Sequence, residues 1–147
     1  MDWKKFEIKK LNTPTEVVLD VISGFSEATN NLLKLTLVKK SEVELLNSKY
    51  SANFSDDLVL HSQFMRAYKY IVFELFYNVQ LYPCALKIEY GIKAELNISD
   101  SLVQIENEEN LRHTLELIFK TSKFTEIVSG LMKIASLEKT EDDDLPF

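Results

Sequence analysis

Residues 86–99 read LKIEYGIKAELNIS, and the reading of this stretch decides the fold class. Leu86, Ile88, Tyr90, Ile92, Ala94, Leu96 and Ile98 alternate with Lys87, Glu89, Gly91, Lys93, Glu95, Asn97 and Ser99. Successive side chains of a strand point to opposite faces, so this pattern predicts a strand with one buried and one wet face. Gly91 offers no side chain to pack and predicts a bend or bulge dividing the strand in two.

Upstream, residues 64–82 carry a dense run of aromatic and β-branched side chains from Tyr68 to Val79. Leu58, Met65, Tyr68, Val72, Leu75 and Val79 also fit a helical stripe, but the composition favours a central strand buried on both faces. Pro83 ends it. Residues 16–22 and 32–38 read as two further strands, joined by the polar, turn-rich segment Ser23–Asn31 and closed by Lys39, Lys40 and Ser41.

Downstream the period changes. Asn107 predicts a helix N-cap, with Glu108 and Glu109 where a helix start favours negative charge. Leu111, Leu115, Ile118 and Phe119 form one face, and Thr121-Ser122 breaks the run. Phe124, Ile127, Val128, Leu131, Met132 and Ala135 then mark a second amphipathic helix ending near Ala135. Strands first and helices last predict an α+β fold: an antiparallel, strand-rich N-terminal two-thirds packed with two C-terminal amphipathic helices. The expected organisation is one globular domain over residues 1–136 and a flexible, disordered acidic tail over 137–147.

A chain of 147 residues suits one domain with a real core, and 46% hydrophobic with 27% charged residues is ordinary for a globular protein. The single cysteine, Cys84, cannot form an internal disulfide, which fits a reducing, cytoplasmic setting. No secretory signal is expected at the start, and no apolar run approaches the ~20 residues of a membrane helix. The net charge of −6 is uneven: residues 138–147 hold five acids and one lysine, contributing −4. The other 137 residues, with 16 basic and 18 acidic side chains, carry only −2. A near-neutral body does not advertise nucleic-acid binding, though it leaves room for a local basic strip.

The last residues are Glu141, Asp142, Asp143, Asp144, Leu145, Pro146 and Phe147. Such a tail cannot bury enough surface to fold alone. Phe147 offers a ring and an α-carboxylate together, Pro146 restricts the backbone beforehand, and the aspartates steer the peptide to a basic groove. The segment resembles the C-terminal tip of bacterial single-stranded DNA-binding proteins, an Asp-Asp-Asp-Ile/Leu-Pro-Phe end. That resemblance implies that Asp142, Asp143, Asp144, Leu145, Pro146 and Phe147 dock onto the replication, recombination and repair enzymes that recognise the tip. It is confined to the tip, since the body shows none of the short Gly-punctuated strands of an OB-fold. With the second helix ending near Ala135, about ten residues remain as a tether, a coil span of roughly 17–19 Å.

Single-stranded nucleic acid is held by exposed aromatic side chains flanked by cations. Trp3, Lys4 and Lys5, and Arg66, Tyr68, Lys69 and Tyr70, supply those residue types, with Arg66, Tyr68 and Tyr70 expected on one strand face. Catalysis has little support. His61 and His113 are isolated, with His113 expected on the surface of the first helix, and Cys84 reads as a small buried hydrophobe. Asp56-Asp57 and Glu108-Glu109 read as turn and helix-start acids, and three glycines in the chain leave no phosphate cradle. No catalytic residue, metal or cofactor is expected.

The reading is therefore a non-catalytic accessory protein associated with single-stranded DNA, of phage or mobile-element type, that recruits DNA-processing enzymes through its C-terminal peptide. Self-association is allowed. The competing reading is a protein-interaction module such as an immunity or anti-defence inhibitor, in which the tail is incidental.

Overall fold

A computed structural model of the chain describes residues 1–143, the last three by backbone alone. It is an α+β fold built on a five-stranded antiparallel sheet in sequential order, β1 (Lys34–Lys39), β2 (Phe54–His61), β3 (Lys69–Tyr77), β4 (Cys84–Ile88) and β5 (Val103–Ile105). Helices α1 (Pro14–Ile22), α2 (Phe25–Ala28), α3 (Glu42–Leu46), α4 (Tyr90–Glu95), α5 (Glu108–Phe119) and α6 (Ser122–Asp143) fill the connections and the C-terminal end.

The core lies between one face of the sheet and α1, α5 and α6. Leu58 and Leu60 of β2, Phe73 and Leu75 of β3, and Leu86 and Ile88 of β4 meet Val17, Val18, Leu111, Leu115, Ile118 and Phe124 there. A β-bulge controls this face: Leu58 pairs with Phe73 and the next residue, Val59, pairs with Ile71, so Val72 is the extra residue. Phe73 therefore turns to the core while Ile71, two positions away, turns to the opposite face, breaking the simple period of two. Val72 is itself fully buried.

Where the expectations hold, the local chemistry is visible. The strand expected from Tyr68 to Val79 is β3, the segment expected at 32–38 is β1, and Asn107 caps α5 by accepting from the Asn110 amide at 2.9 Å. Thr121 breaks the two helices as expected. Its hydroxyl donates to the Ile118 carbonyl at 2.8 Å and accepts from the Phe124 amide at 3.2 Å, serving both helix ends.

Three expectations are corrected. Residues 16–22 belong to helix α1, because Thr13 and Glu16 close a capping box with Pro14 at the first position. Val17, Val18, Val21 and Ile22 then form a helical stripe on the core, which outweighs the strand preference of valine. The alternating stretch 86–99 is a strand only to Ile88. The Glu89 carboxylate accepts from the Ile92 amide at 2.9 Å and starts α4. Ile88, Ile92 and Leu96 are four apart, which satisfies a helical face as well as an alternating one, and all three pack into the core. Gly91 accordingly sits inside a short helix, close under Lys123, rather than at a strand bend. Finally, α6 runs to Asp143 and not to about Ala135.

The strands β2 and β5 and the helices α2 and α3 have no counterpart among the expected elements. Ser41 and Glu44 form a second capping box at α3, and Gly24, at φ +88°, admits the sharp entry to α2.

The bulge predicts a sharp contrast between close neighbours. Phe73→Ala should cost about 3–5 kcal/mol in urea unfolding, whereas Ile71→Ala should cost under about 1 kcal/mol. Equal costs would contradict the assigned phase of β3.

Candidate functional site

The face of the sheet turned away from α1, α5 and α6 has two halves. One half is organised by Lys40, which follows β1 and donates its backbone N–H to the Ser55 carbonyl at 3.0 Å. Its side chain is almost fully enclosed. The ammonium lies 2.5 Å from Glu74 Oε1, 3.3 Å from Asp57 Oδ1 and 4.6 Å from the centre of the Phe76 ring. Lys87 reaches the other Glu74 oxygen at 3.4 Å and lies 5.9 Å from the Tyr50 ring centre, while Tyr50 meets Phe76 edge-on at 5.3 Å. Two cations and two carboxylates thus balance beneath an aromatic cover.

For Asp57, burial outweighs Lys40 and raises the pKa. For Glu74, burial works the same way, but the hydrogen bond and charge of Lys40, with Lys87, outweigh it and lower the pKa. Asp56 and Asp57 are adjacent in β2 and face opposite sides, not a turn as expected. Asp56 is buried on the helix side, and that burial raises its pKa against the pull of Lys39.

The other half is open. Thr36 and Val38 of β1, Asp57, Val59 and His61 of β2, and Lys69 and Ile71 of β3 line a hollow of about 440 Å³. Val38 is 48% exposed and Ile71 45% exposed, which is high for aliphatic side chains in mid-strand. His61 Nε2 and Thr36 Oγ1 lie 2.8 Å apart. Burial, with Lys34 and Lys69 beside it, lowers the His61 pKa, so the ring is neutral at pH 7 and the hollow is apolar with a cationic rim.

Arg66, Tyr68 and Lys69 all lie exposed at the β2–β3 turn, so these three expected nucleic-acid residues stand together. The shared strand face expected for Arg66, Tyr68 and Tyr70 does not form. β3 begins only at Lys69, and the Tyr68 amide closes a turn onto the Met65 carbonyl at 3.1 Å. Tyr70 packs against the core instead, and burial raises its pKa well above that of a free tyrosine. Trp3, Lys4 and Lys5 are exposed on an irregular arm, residues 1–12, with the Trp3 ring 6.0 Å from that of Phe6. The arm joins α1 at Thr13. The Thr13 hydroxyl lies 3.0 Å from that of Thr15, which hydrogen-bonds Tyr77 at the far end of β3. The arm therefore joins the body at the end of the sheet opposite the β2–β3 turn.

Helix α6 links the β2–β3 turn to the acidic segment. Glu95 of α4 accepts from the Ser122 and Lys123 amides at 2.7 and 2.8 Å and fixes the helix start. Among the residues of α6 whose burial is described, Ala135 is the last buried one, and residues 137–140 are exposed. Lys139 lies 5.9 Å over the Phe64 ring, so the helix arrives beside the β2–β3 turn. Asp142 and Asp143 end α6, with only their backbone described. Asp144, Leu145, Pro146 and Phe147 lie outside the described residues.

Other titratable groups suit structural roles. Burial pushes the Cys84 thiol up to about 12, which suits an inert core residue, and His113 lies exposed on α5. Among the described residues no three of His, Cys, Asp and Glu come together to hold a metal, and no helix is long and apolar enough to cross a membrane.

Lys40→Met should cost about 2–3 kcal/mol at pH 7, because Asp57 and Glu74 would face each other without their cation. Glu74, with its lowered pKa, contributes stability above the unfolded pKa and loses it as pH falls through the folded value. The gap between Lys40→Met and the parent chain should therefore shrink in urea unfolding below about pH 4. A gap independent of pH would mean that Lys40 acts through packing on Phe76 alone. No protein-family model, no curated protein and no solved structure matches this chain.

Proposed function

We propose that this protein is a non-catalytic accessory factor of DNA replication, recombination or repair. In this reading it associates with single-stranded DNA and recruits DNA-processing enzymes through the peptide Asp142–Phe147. The observation that carries it is the Asp-Asp-Asp-Leu-Pro-Phe sequence, which resembles the docking tip of bacterial single-stranded DNA-binding proteins. The position of α6 supports the reading. Its residues 137–140, past Ala135 and just ahead of the acidic segment, are exposed. The unpaired thiol of Cys84 suits a reducing, cytoplasmic setting.

DNA contact is assigned to Arg66, Tyr68 and Lys69 at the β2–β3 turn, which offer two cations and an aromatic ring side by side. Trp3, Lys4 and Lys5 contribute only where the arm lies along the same strand of DNA. The open hollow, with Val38 and Ile71 exposed, favours the second reading, a protein-interaction module such as an immunity or anti-defence inhibitor that works without the tail.

Two measurements separate these readings. Binding of the full chain to a purified enzyme that recognises the single-stranded DNA-binding protein tip should weaken by about 30-fold or more on Phe147→Ala, the loss of one buried ring. Adding a residue after Phe147 should have a similar effect if the α-carboxylate is gripped. Unchanged binding in the Phe147→Ala chain would remove the recruiting role. Binding of oligo(dT) should fall steeply with salt, and Arg66→Glu with Lys69→Glu should flatten that dependence by about one to two phosphate contacts. An oligo(dT) affinity untouched by the double change would move the DNA site away from the turn.

A further inference from the structure

Strand pairing sorts the open face into rows. Lys34 of β1 lies opposite His61 of β2, and His61 lies opposite Lys69 of β3. Side chains alternate along a strand, so Lys34 shares the open side with Thr36 and Val38. The second row is Thr36, Val59 and Ile71, and the third begins with Val38, Asp57 and Glu74. Strands lie about 4.8 Å apart, and alternate residues about 6.8 Å along a strand. Lys34 and Lys69 therefore stand roughly 10 Å apart, with an apolar floor one row behind them.

Exposed aliphatic side chains alone would fit a protein partner. The row of cations beside them decides otherwise. Lys34 and Lys69 are exposed, and among the described residues neither forms an ion pair. Besides burial, their two charges lower the His61 pKa, which places both beside that ring. Asp57, the acid among the lining residues, is held by Lys40 at 3.3 Å, and Glu74 is shared by Lys40 and Lys87. The end of the face nearest the β2–β3 turn is thus left positive. Lys69 also belongs to that turn, so the row runs without a gap into exposed Tyr68 and Arg66. The chain's own arm, with Lys4, Lys5, Lys9 and Lys10 against Asp2 and Glu7, meets like charge here. A single nucleic-acid strand suits both features, with phosphates along one side and flat bases along the other.

We propose that the open hollow is the base platform of a single-stranded DNA site. Phosphates follow Arg66, Lys69 and Lys34, and the bases lie on Val38, Val59 and Ile71. The inference rests on the reading that the β2–β3 turn contacts single-stranded DNA, and it extends that contact across the sheet to β1. An aliphatic floor offers every base the same apolar contact, so the platform discriminates little among bases.

The test is oligo(dT) binding across a salt series, read by fluorescence anisotropy on the full chain and its variants. Lys34→Glu should weaken binding and flatten the salt dependence by about one phosphate contact. Val38→Ala with Ile71→Ala should weaken binding about tenfold and leave the salt slope unchanged, because bases and not phosphates lose support. Circular dichroism should show these variants folded, since Lys34 is exposed and both aliphatic positions are about half-exposed. A full chain that binds no oligo(dT) at low salt overturns the turn reading and the platform together. Binding that weakens with Arg66→Glu and Lys69→Glu, but not with Lys34→Glu or the double alanine change, keeps the turn and overturns the platform. A double alanine variant that binds DNA like the parent yet sediments as a smaller species assigns the hollow to a protein partner, and overturns it too.

Discussion

One extra residue in β3 decides what each side of this protein can do. Val72 has no partner of its own opposite β2, so the chain beyond it changes phase. Without that shift, Phe73, Ile71 and Lys69 would share the core face, and a lysine would be driven under the helices. With it, Val72, Phe73 and Leu75 fill the core while Ile71 and Lys69 stand on the open face. Burying a lone lysine costs far more than a bulge, so the sequence of β3 is compatible with only one register. The core, the hollow and the exposure of the β2–β3 turn all follow from that register.

One half of the open face is tied together by charge rather than by a second layer of long helices. Lys40 draws Asp57 and Glu74 from neighbouring strands to a single point, and the Phe76 ring lies against the same ammonium. An antiparallel sheet with one uncovered face risks pairing with other sheets, and charged side chains pointing out of the face oppose that. The charges occupy one half of the face only. The other half retains Val38, Val59 and Ile71 around a neutral His61, the combination of apolar floor and polar rim found where proteins meet one another.

Much of the fold was legible because its signals are local and unambiguous. Asn107 with two glutamates marks a helix start, Thr121-Ser122 marks a break, and the aromatic, β-branched run through Val72 and Phe73 marks a central strand. The failures have equally local causes. The 16–22 segment has the composition of a strand, yet Thr13, Pro14 and Glu16 just before and within it carry the stronger helix-start chemistry. In 86–99 the buried residues fall four apart, a spacing common to both periods, so alternation alone could not separate β4 from α4. β2 was hidden by Asp56 and Asp57, which Lys39 at the end of β1 and Lys40 just after it help to make tolerable there. The candidate surfaces divide the same way. Residue type sufficed to single out Arg66, Tyr68 and Lys69 as candidates, which the fold leaves exposed together, but the Lys40–Glu74 contact joins positions 34 apart and exists only in the folded sheet.

The strand order has a consequence for how the molecule assembles. Because β1 to β5 are neighbours in sequence as well as in space, each pairing closes a short loop, and the sheet can grow one hairpin at a time. Helix α1 is the exception. It packs on α5, and the Arg112 side chain reaches Asp20 across 92 residues at 2.6 Å. Closing that distance is worthwhile only after the strands between have formed, so α1 waits as an uncommitted valine-rich segment until the C-terminal helices arrive. During synthesis, the first helix of the chain is thus among the last to find its place, and until then Val17, Val18 and the facing sheet are the surfaces most in need of protection from other chains.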